Sequence, residues 1–168
     1  LIATTEVLAE EKEKHTLKAL LMANVRMPQY LAAVGGCVLL ACLAGTVCFG
    51  LTAGLSGMAF LKFCGVMMTG IILSVLIGAI IGTACKSQMS ATSLTVPVMM
   101  VLSFLPMLST FNDTIKNIAA VFYSQQIYLI ISGTDDGGTA KAWGTVLVNL
   151  GILTVVFIYV YRRLAEES

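Results

Sequence analysis

The chain has 168 residues, of which 58% are hydrophobic and 11% are charged. Soluble domains carry about 25% charged residues, so an ordinary soluble fold is disfavoured. A formal net charge of +1 does not indicate the basic surface that a nucleic-acid partner requires, so no nucleic-acid partner is expected. The charges concentrate between Glu6 and Arg26, and long uncharged stretches follow. This segregation predicts an integral membrane protein in contact with the lipid bilayer.

The first predicted element is a charged amphipathic helix from Thr5 to Asn24. Acidic and basic residues fill its first half and leucines its second, and Glu10 and Lys14 are spaced to pair on one helix face. The pattern leaves two roles open, a solvated helix beside the membrane or a helix that docks on a soluble partner. The chain begins with Leu1 and without the features of a signal peptide. We therefore expect a piece of a longer protein.

Four uncharged stretches are long enough to cross a hydrocarbon core of about 30 Å at about 1.5 Å per helical residue. Pro28 suits the first turn of the first of these helices. A short Gly/Ser break joins the first two stretches, which predicts an antiparallel pair. The predicted spans are Leu31–Ala53, Phe63–Cys85, Met89–Asn112 and Ala142–Tyr161.

The segment from Ile118 to Ser132 is apolar but short, and it carries several polar side chains. Such a segment is typical of a re-entrant or interfacial helix and not of a full crossing. Trp143 near one end of the last span, and Tyr159 and Tyr161 near the other, match the aromatic belts of membrane interfaces.

Basic residues predict the orientation, because cytoplasmic loops carry an excess of Lys and Arg. With four spans both ends lie on one side, and this side holds seven basic residues against three on the other. The seven are Lys12, Lys14, Lys18, Arg26, Lys86, Arg162 and Arg163, and the three are Lys62, Lys116 and Lys141. We expect both termini in the cytoplasm, residues 113–141 outside, and the protein in the plasma membrane of a bacterial cell.

The second span carries a ladder of small residues at intervals of four, which are Gly70, Ser74, Gly78 and Gly82. Small residues on one face let membrane helices approach closely. The ladder predicts helix packing, either within the subunit or across a dimer seam.

Residues for catalysis, metal binding or cofactor binding are not indicated. His15 is the only histidine, no carboxylate lies within the four spans, and no GxxxxGK[ST] phosphate loop is present. The five cysteines lack CxxC spacing, and we expect them to be small buried hydrophobic residues. The chain is therefore not expected to be an enzyme or to hold a cofactor itself.

A motif before the first span carries a family resemblance. It reads Glu11-Lys12-Glu13-Lys14-His15-Thr16-Leu17 and is followed by Leu20-Leu21. It resembles the Glu-x-Glu-x-x-Thr-Leu signature in the permeases of type-2 ATP-binding-cassette (ABC) exporters, although His15 stands where the family often has Gly. Residues 86–93 and 103–108 also look like the family's fifth span. The resemblance covers nearly the whole chain, so that the four spans correspond to the family's third to sixth.

The resemblance implies a permease subunit that has no ATPase site, pairs with a second permease subunit as a homodimer or heterodimer, and rests on a nucleotide-binding subunit that holds the ATP. It implies an all-α membrane fold in which residues 1–28 contain a cytoplasmic coupling helix. Residues 29–112 then form three spans, 113–141 the outer re-entrant helix and loop, and 142–168 the last span and tail. The implied docking residues are Glu11, Glu13, Thr16, Leu17, Leu20 and Leu21.

Two other classes of function stay open beside the exporter. One is an ion- or proton-coupled secondary carrier, which the lack of charged groups within the spans disfavours. The other is a membrane immunity or sensor protein that uses the same helix to bind a partner.

Overall fold

The computed structural model describes residues 1–13, 27–85, 87–133 and 139–167. These residues form helices and short turns, and no strand occurs within the described ranges. The helices are α1 (Ile2–Glu13), α2 (Met27–Thr52), α3 (Gly57–Ala84), α4 (Gln88–Ser109), α5 (Asp113–Ala119), α6 (Tyr123–Ser132) and α7 (Thr139–Glu167). The predicted all-α fold is confirmed for this part of the chain.

Four helices are long and apolar enough to cross a membrane. The candidate spans are Ala32–Thr52, Gly57–Ala84, Gln88–Ser109 and Lys141–Val160, at the positions of the four predicted spans. Only 6% to 22% of the most apolar window of each helix is buried inside the chain. Soluble proteins rarely expose so much contiguous apolar surface to water, so the chain is integral to a membrane.

The turn between α2 and α3 shows why the two spans lie so close in sequence. The Gly54 N–H donates to the Leu51 carbonyl at 3.1 Å, and the Leu55 N–H donates to the Gly50 carbonyl at 3.2 Å. This pair of bonds is a Schellman motif, which requires a left-handed residue after the helix. Gly54 supplies it with a φ of 71°.

The outer segment differs from the sequence prediction. In place of one helix from Ile118 to Ser132, the chain forms α5 and α6 with a turn at Ala120–Phe122 between them. The Asn112 side chain caps α5 by accepting a hydrogen bond from the Thr114 N–H at 2.9 Å. Gly133, with a φ of 63°, ends α6. We call α5, the turn and α6 the outer hairpin.

The chain divides into two compact units. The first contains Leu1–Leu40, Ser74–Met99 and Leu153–Ser168, and the second contains Ala41–Leu73 and Met100–Ile152. The first unit thus collects the start of α2, the end of α3, the start of α4 and the end of α7. The second collects the remaining parts of these four helices together with the outer hairpin.

Candidate coupling site and outer hairpin

Helix α1 lies along the second half of α3, where two glycines allow the backbones to meet. A Cβ atom at Gly78 would lie 2.7 Å from the Leu1 carbonyl oxygen, and one at Gly82 would lie 2.9 Å from the Leu8 Cβ. The Thr5 hydroxyl also donates to the Gly78 carbonyl at 3.1 Å. Because Leu1 lies beside Gly78 and Leu8 beside Gly82, α1 runs parallel to α3.

The face of α1 toward α3 is fully packed. Thr4, Thr5, Leu8 and Ala9 are buried, and they recur at the spacing of one helix face. Ala9 joins Cys85 and Ala91 in a buried cluster, against which Ile81 packs. Sequence reasoning recognised the charged side of this segment but missed its buried side, which begins at Thr4, ahead of the predicted helix start at Thr5.

Two acidic side chains of α1 contact the first turns of α4. Glu13 Oε2 accepts a hydrogen bond of 2.7 Å from the Gln88 N–H, and Glu6 Oε1 accepts one of 3.3 Å from the Thr92 hydroxyl. The first N–H groups of a helix lack partners within it, and the helix dipole favours negative charge there. Glu13 therefore caps α4 from a distant part of the chain.

The charged end of α1 also lies near the start of α2. Burial raises the pKa of the Tyr30 phenol, and the negative charges of Glu11 and then Glu10 raise it further. Tyr30 precedes the candidate span that begins at Ala32. The end of α1 and the starts of α2 and α4 thus converge within the first unit.

Two of the six predicted docking residues, Glu11 and Glu13, lie within the part of the chain that the structure describes. Glu11 is half-buried and Glu13 is exposed, and both lie in the last turn of α1. Thr16, Leu17, Leu20 and Leu21 lie outside the described residues, as does His15. A coupling helix at these positions stays a prediction.

The small-residue ladder of α3 meets different partners at its two ends. Gly78 and Gly82 face α1, whereas a Cβ at Gly70 would lie 2.6 Å from Ile127 Cδ1 on α6. Ser74, between them, is half-buried. The three glycines thus lie against helices of the same chain.

A polar cluster supports the outer hairpin. Gln125, only 2% exposed, accepts a hydrogen bond at Oε1 from the Ser109 hydroxyl at 2.9 Å. Gln126 Nε2 donates to the Ala120 carbonyl at 2.6 Å, and Asn149 Nδ2 donates to the Val121 carbonyl at 2.9 Å. Sequence reasoning noted the polarity of the hairpin but missed Asn149, whose signal was a lone amide side chain in an apolar span.

The prediction that all five cysteines are buried is wrong. All five are free, but Cys37, Cys42 and Cys48 are exposed and only Cys85 is buried. Burial was predicted from their apolar surroundings, and those surroundings belong to α2, which packs little against the rest of the chain. Within the described ranges no group of three or more His, Cys, Asp or Glu side chains is placed to hold a metal ion.

Comparison with protein-family models, with curated proteins and with solved structures gives no match. The likeness to exporter permeases therefore depends on the motif at residues 11–17 and on the order of the spans.

Proposed function

We propose that this chain is the C-terminal part of the membrane-spanning permease subunit of an ABC exporter. The observation that carries the proposal is the contact between Glu13 and the Gln88 N–H. It joins the motif that resembles a coupling helix directly to the first turn of a candidate span. A motif that receives movement from a partner needs such a connection to pass the movement on.

In this proposal the Glu11–Leu21 segment docks on a nucleotide-binding subunit, where ATP is bound and hydrolysed. Movement of that segment reaches α4 through Glu13 and Glu6, and it reaches α3 through Gly78 and Gly82. At both glycines a backbone atom of α1 lies within about 3 Å of where a Cβ would be, and such close helix contacts leave little room to absorb a displacement. A second permease subunit, identical or different, completes the pathway.

Charge supports the proposed orientation. By sequence, the segments of the first unit carry seven of the ten basic residues, and those of the second carry Lys62, Lys116 and Lys141. The rule that basic residues stay inside then puts the first unit at the cytoplasmic side. The docking segment belongs to the same unit by sequence, so it faces the compartment that supplies ATP.

A photo-crosslinking experiment tests the proposal in the native full-length protein. With a photoreactive residue at Leu17, illumination of membranes is expected to capture a protein that azido-ATP also labels. A photoreactive residue at Asp113, in the outer hairpin, is the matched control and should capture no such protein. Glu11→Lys should lower capture from position 17, because a like-charge contact at an interface costs several kcal/mol.

The same experiment separates the exporter from its rivals. A secondary carrier would give no azido-ATP-labelled partner at position 17. An immunity or sensor protein would give a partner without nucleotide labelling. Either result, with normal levels of the protein in the membrane, rules out the exporter.

A further inference from the structure

The turn of the outer hairpin at Ala120–Phe122 interrupts the helical hydrogen bonding between α5 and α6. Backbone carbonyls in such a turn need donors from elsewhere, and in hydrocarbon no water supplies them. Two side-chain amides meet this need here. Gln126, from the hairpin itself, donates a hydrogen bond to the Ala120 carbonyl, and Asn149, from α7, donates one to the Val121 carbonyl.

The position of Asn149 indicates how deep the turn lies. The candidate span of α7 runs from Lys141 to Val160, and Asn149 follows Lys141 by eight residues. At a rise of about 1.5 Å per residue, the Asn149 amide lies about 12 Å along the helix from Lys141. The Val121 carbonyl lies at the same level, well inside the span.

A second contact agrees with this depth. Ile127 of α6 lies against Gly70, and Gly70 is close to the middle of α3, which spans Gly57–Ala84. The hairpin thus lies beside the spans of its unit along α6, and is not confined to their ends. A re-entrant segment has this arrangement, because non-helical backbone at membrane depth is tolerated where other protein groups satisfy its hydrogen bonds, as Gln126 and Asn149 do here.

We propose that Asn149 is a positioning residue that holds the turn of the outer hairpin inside the membrane. Its two amide protons are both used, one on the Val121 carbonyl and one on the Thr145 carbonyl of its own helix at 2.9 Å. Removal of the amide leaves the Val121 carbonyl without this donor, and water becomes its best replacement. The turn then shifts toward the membrane surface. This role is independent of the proposed exporter function.

The test uses thiol labelling in a background without native cysteines. Val121→Cys puts a single thiol in the turn, and Ser132→Cys, in a separate variant, puts one at the end of α6; both positions are exposed on the chain. We call these the turn thiol and the end thiol. A membrane-impermeant maleimide is applied from whichever side labels the end thiol, so the result does not depend on sidedness. With Asn149 present, the turn thiol is expected to react at least about tenfold more slowly than the end thiol.

Asn149→Leu is expected to raise the labelling rate of the turn thiol about three- to tenfold, in line with measured strengths of interhelical hydrogen bonds in membranes. The rate of the end thiol should change less than about twofold. Asn149→Gln, which keeps an amide, should give a smaller change than Asn149→Leu. Thr145→Val is the matched control, because the Thr145 hydroxyl bonds the Lys141 carbonyl of its own helix, and it should leave both rates unchanged.

Two results would overturn the proposal. Equal labelling of the turn thiol and the end thiol in the chain that keeps Asn149 would show that the turn lies at the surface. An unchanged rate for the turn thiol in Asn149→Leu would show that another contact holds the turn. If Asn149→Leu does not accumulate in the membrane, the comparison of the two thiols with Asn149 present and the Asn149→Ala variant decide the question in the same way.

Discussion

Glu13 illustrates how one side chain can serve both the fold and the proposed coupling. Its carboxylate accepts the Gln88 N–H at 2.7 Å, at the positive end of the α4 dipole. Glu13→Lys replaces this acceptor by a positive charge, which the dipole disfavours, so we expect a loss of about 1–2 kcal/mol in stability. Thermal unfolding in detergent measures it. Glu13→Gln keeps an acceptor oxygen and should unfold close to the unaltered protein, whereas equal melting of all three would mean that the contact is not maintained.

At the residue scale, sequence predicts which side chains are unusual but not what they contact. Glu13 was recognisable within a motif, yet its partner is 75 residues away along the chain. Asn149 was not singled out from the sequence although it is an amide in an apolar span, and its acceptor is the carbonyl of Val121, 28 residues earlier. Both contacts depend on which helices pack together, and a single sequence with four similar apolar stretches does not specify that choice.

At the element scale, the contact of α1 with α3 is sensitive to substitution because backbone atoms of α1 lie against the glycines of α3. Even Ala at Gly78 would place its Cβ 2.7 Å from the Leu1 carbonyl oxygen, and at Gly82 3.0 Å from the Thr5 carbonyl oxygen. We expect Gly78→Ala and Gly82→Ala to lower the stability in detergent by about 1–3 kcal/mol, a cost typical of overpacking. Gly65 on the same helix has no atom within 4 Å of its added Cβ. Gly65→Ala should therefore be neutral or stabilising, because Ala favours helix by about 1 kcal/mol.

Should Gly78→Ala and Gly82→Ala instead match Gly65→Ala in thermal unfolding, α1 would not pack on α3. The comparison isolates the steric effect of the added Cβ, because the three substitutions lie in the same helix and gain the same helix propensity.

The spans were the most predictable elements, because their length and lack of charge are fixed by the bilayer. The prediction missed how far the helices extend. Helix α3 begins at Gly57 where Phe63 was expected, and α7 begins at Thr139 where Ala142 was expected. Hydropathy reports the apolar part of a helix, whereas its ends depend on caps and turns. The turn that divides the outer segment into two helices was missed for a related reason, since it is stabilised by Gln126 and Asn149 and not by Gly or Pro at the break.

At the scale of the whole molecule, charge and packing give the same grouping of segments. Basic residues counted along the sequence and compact units defined by the structure both associate the start of α2 with the end of α3 and the end of α7. The charge pattern predicted this grouping because each loop must lie on one side of the membrane or the other. The excess of basic residues further predicts that the side with the two termini is cytoplasmic.

Cysteine labelling on intact cells measures the side of the membrane on which each loop lies. In a cysteine-free background, Ser56→Cys and Asp113→Cys are expected to react with an impermeant thiol reagent from outside, because the loops near Lys62 and Lys116 belong to the side with only three basic residues. Ser56 is preferable to Gly57, whose φ of 59° would strain a cysteine. Ser90→Cys, at the exposed start of α4, should react only after the cells are permeabilised. The reverse pattern would invert the protein in the membrane and place the Glu11–Leu21 segment away from ATP. Labelling of Ser168→Cys from outside, with Ser90→Cys still protected, would show that the outer hairpin crosses the membrane completely.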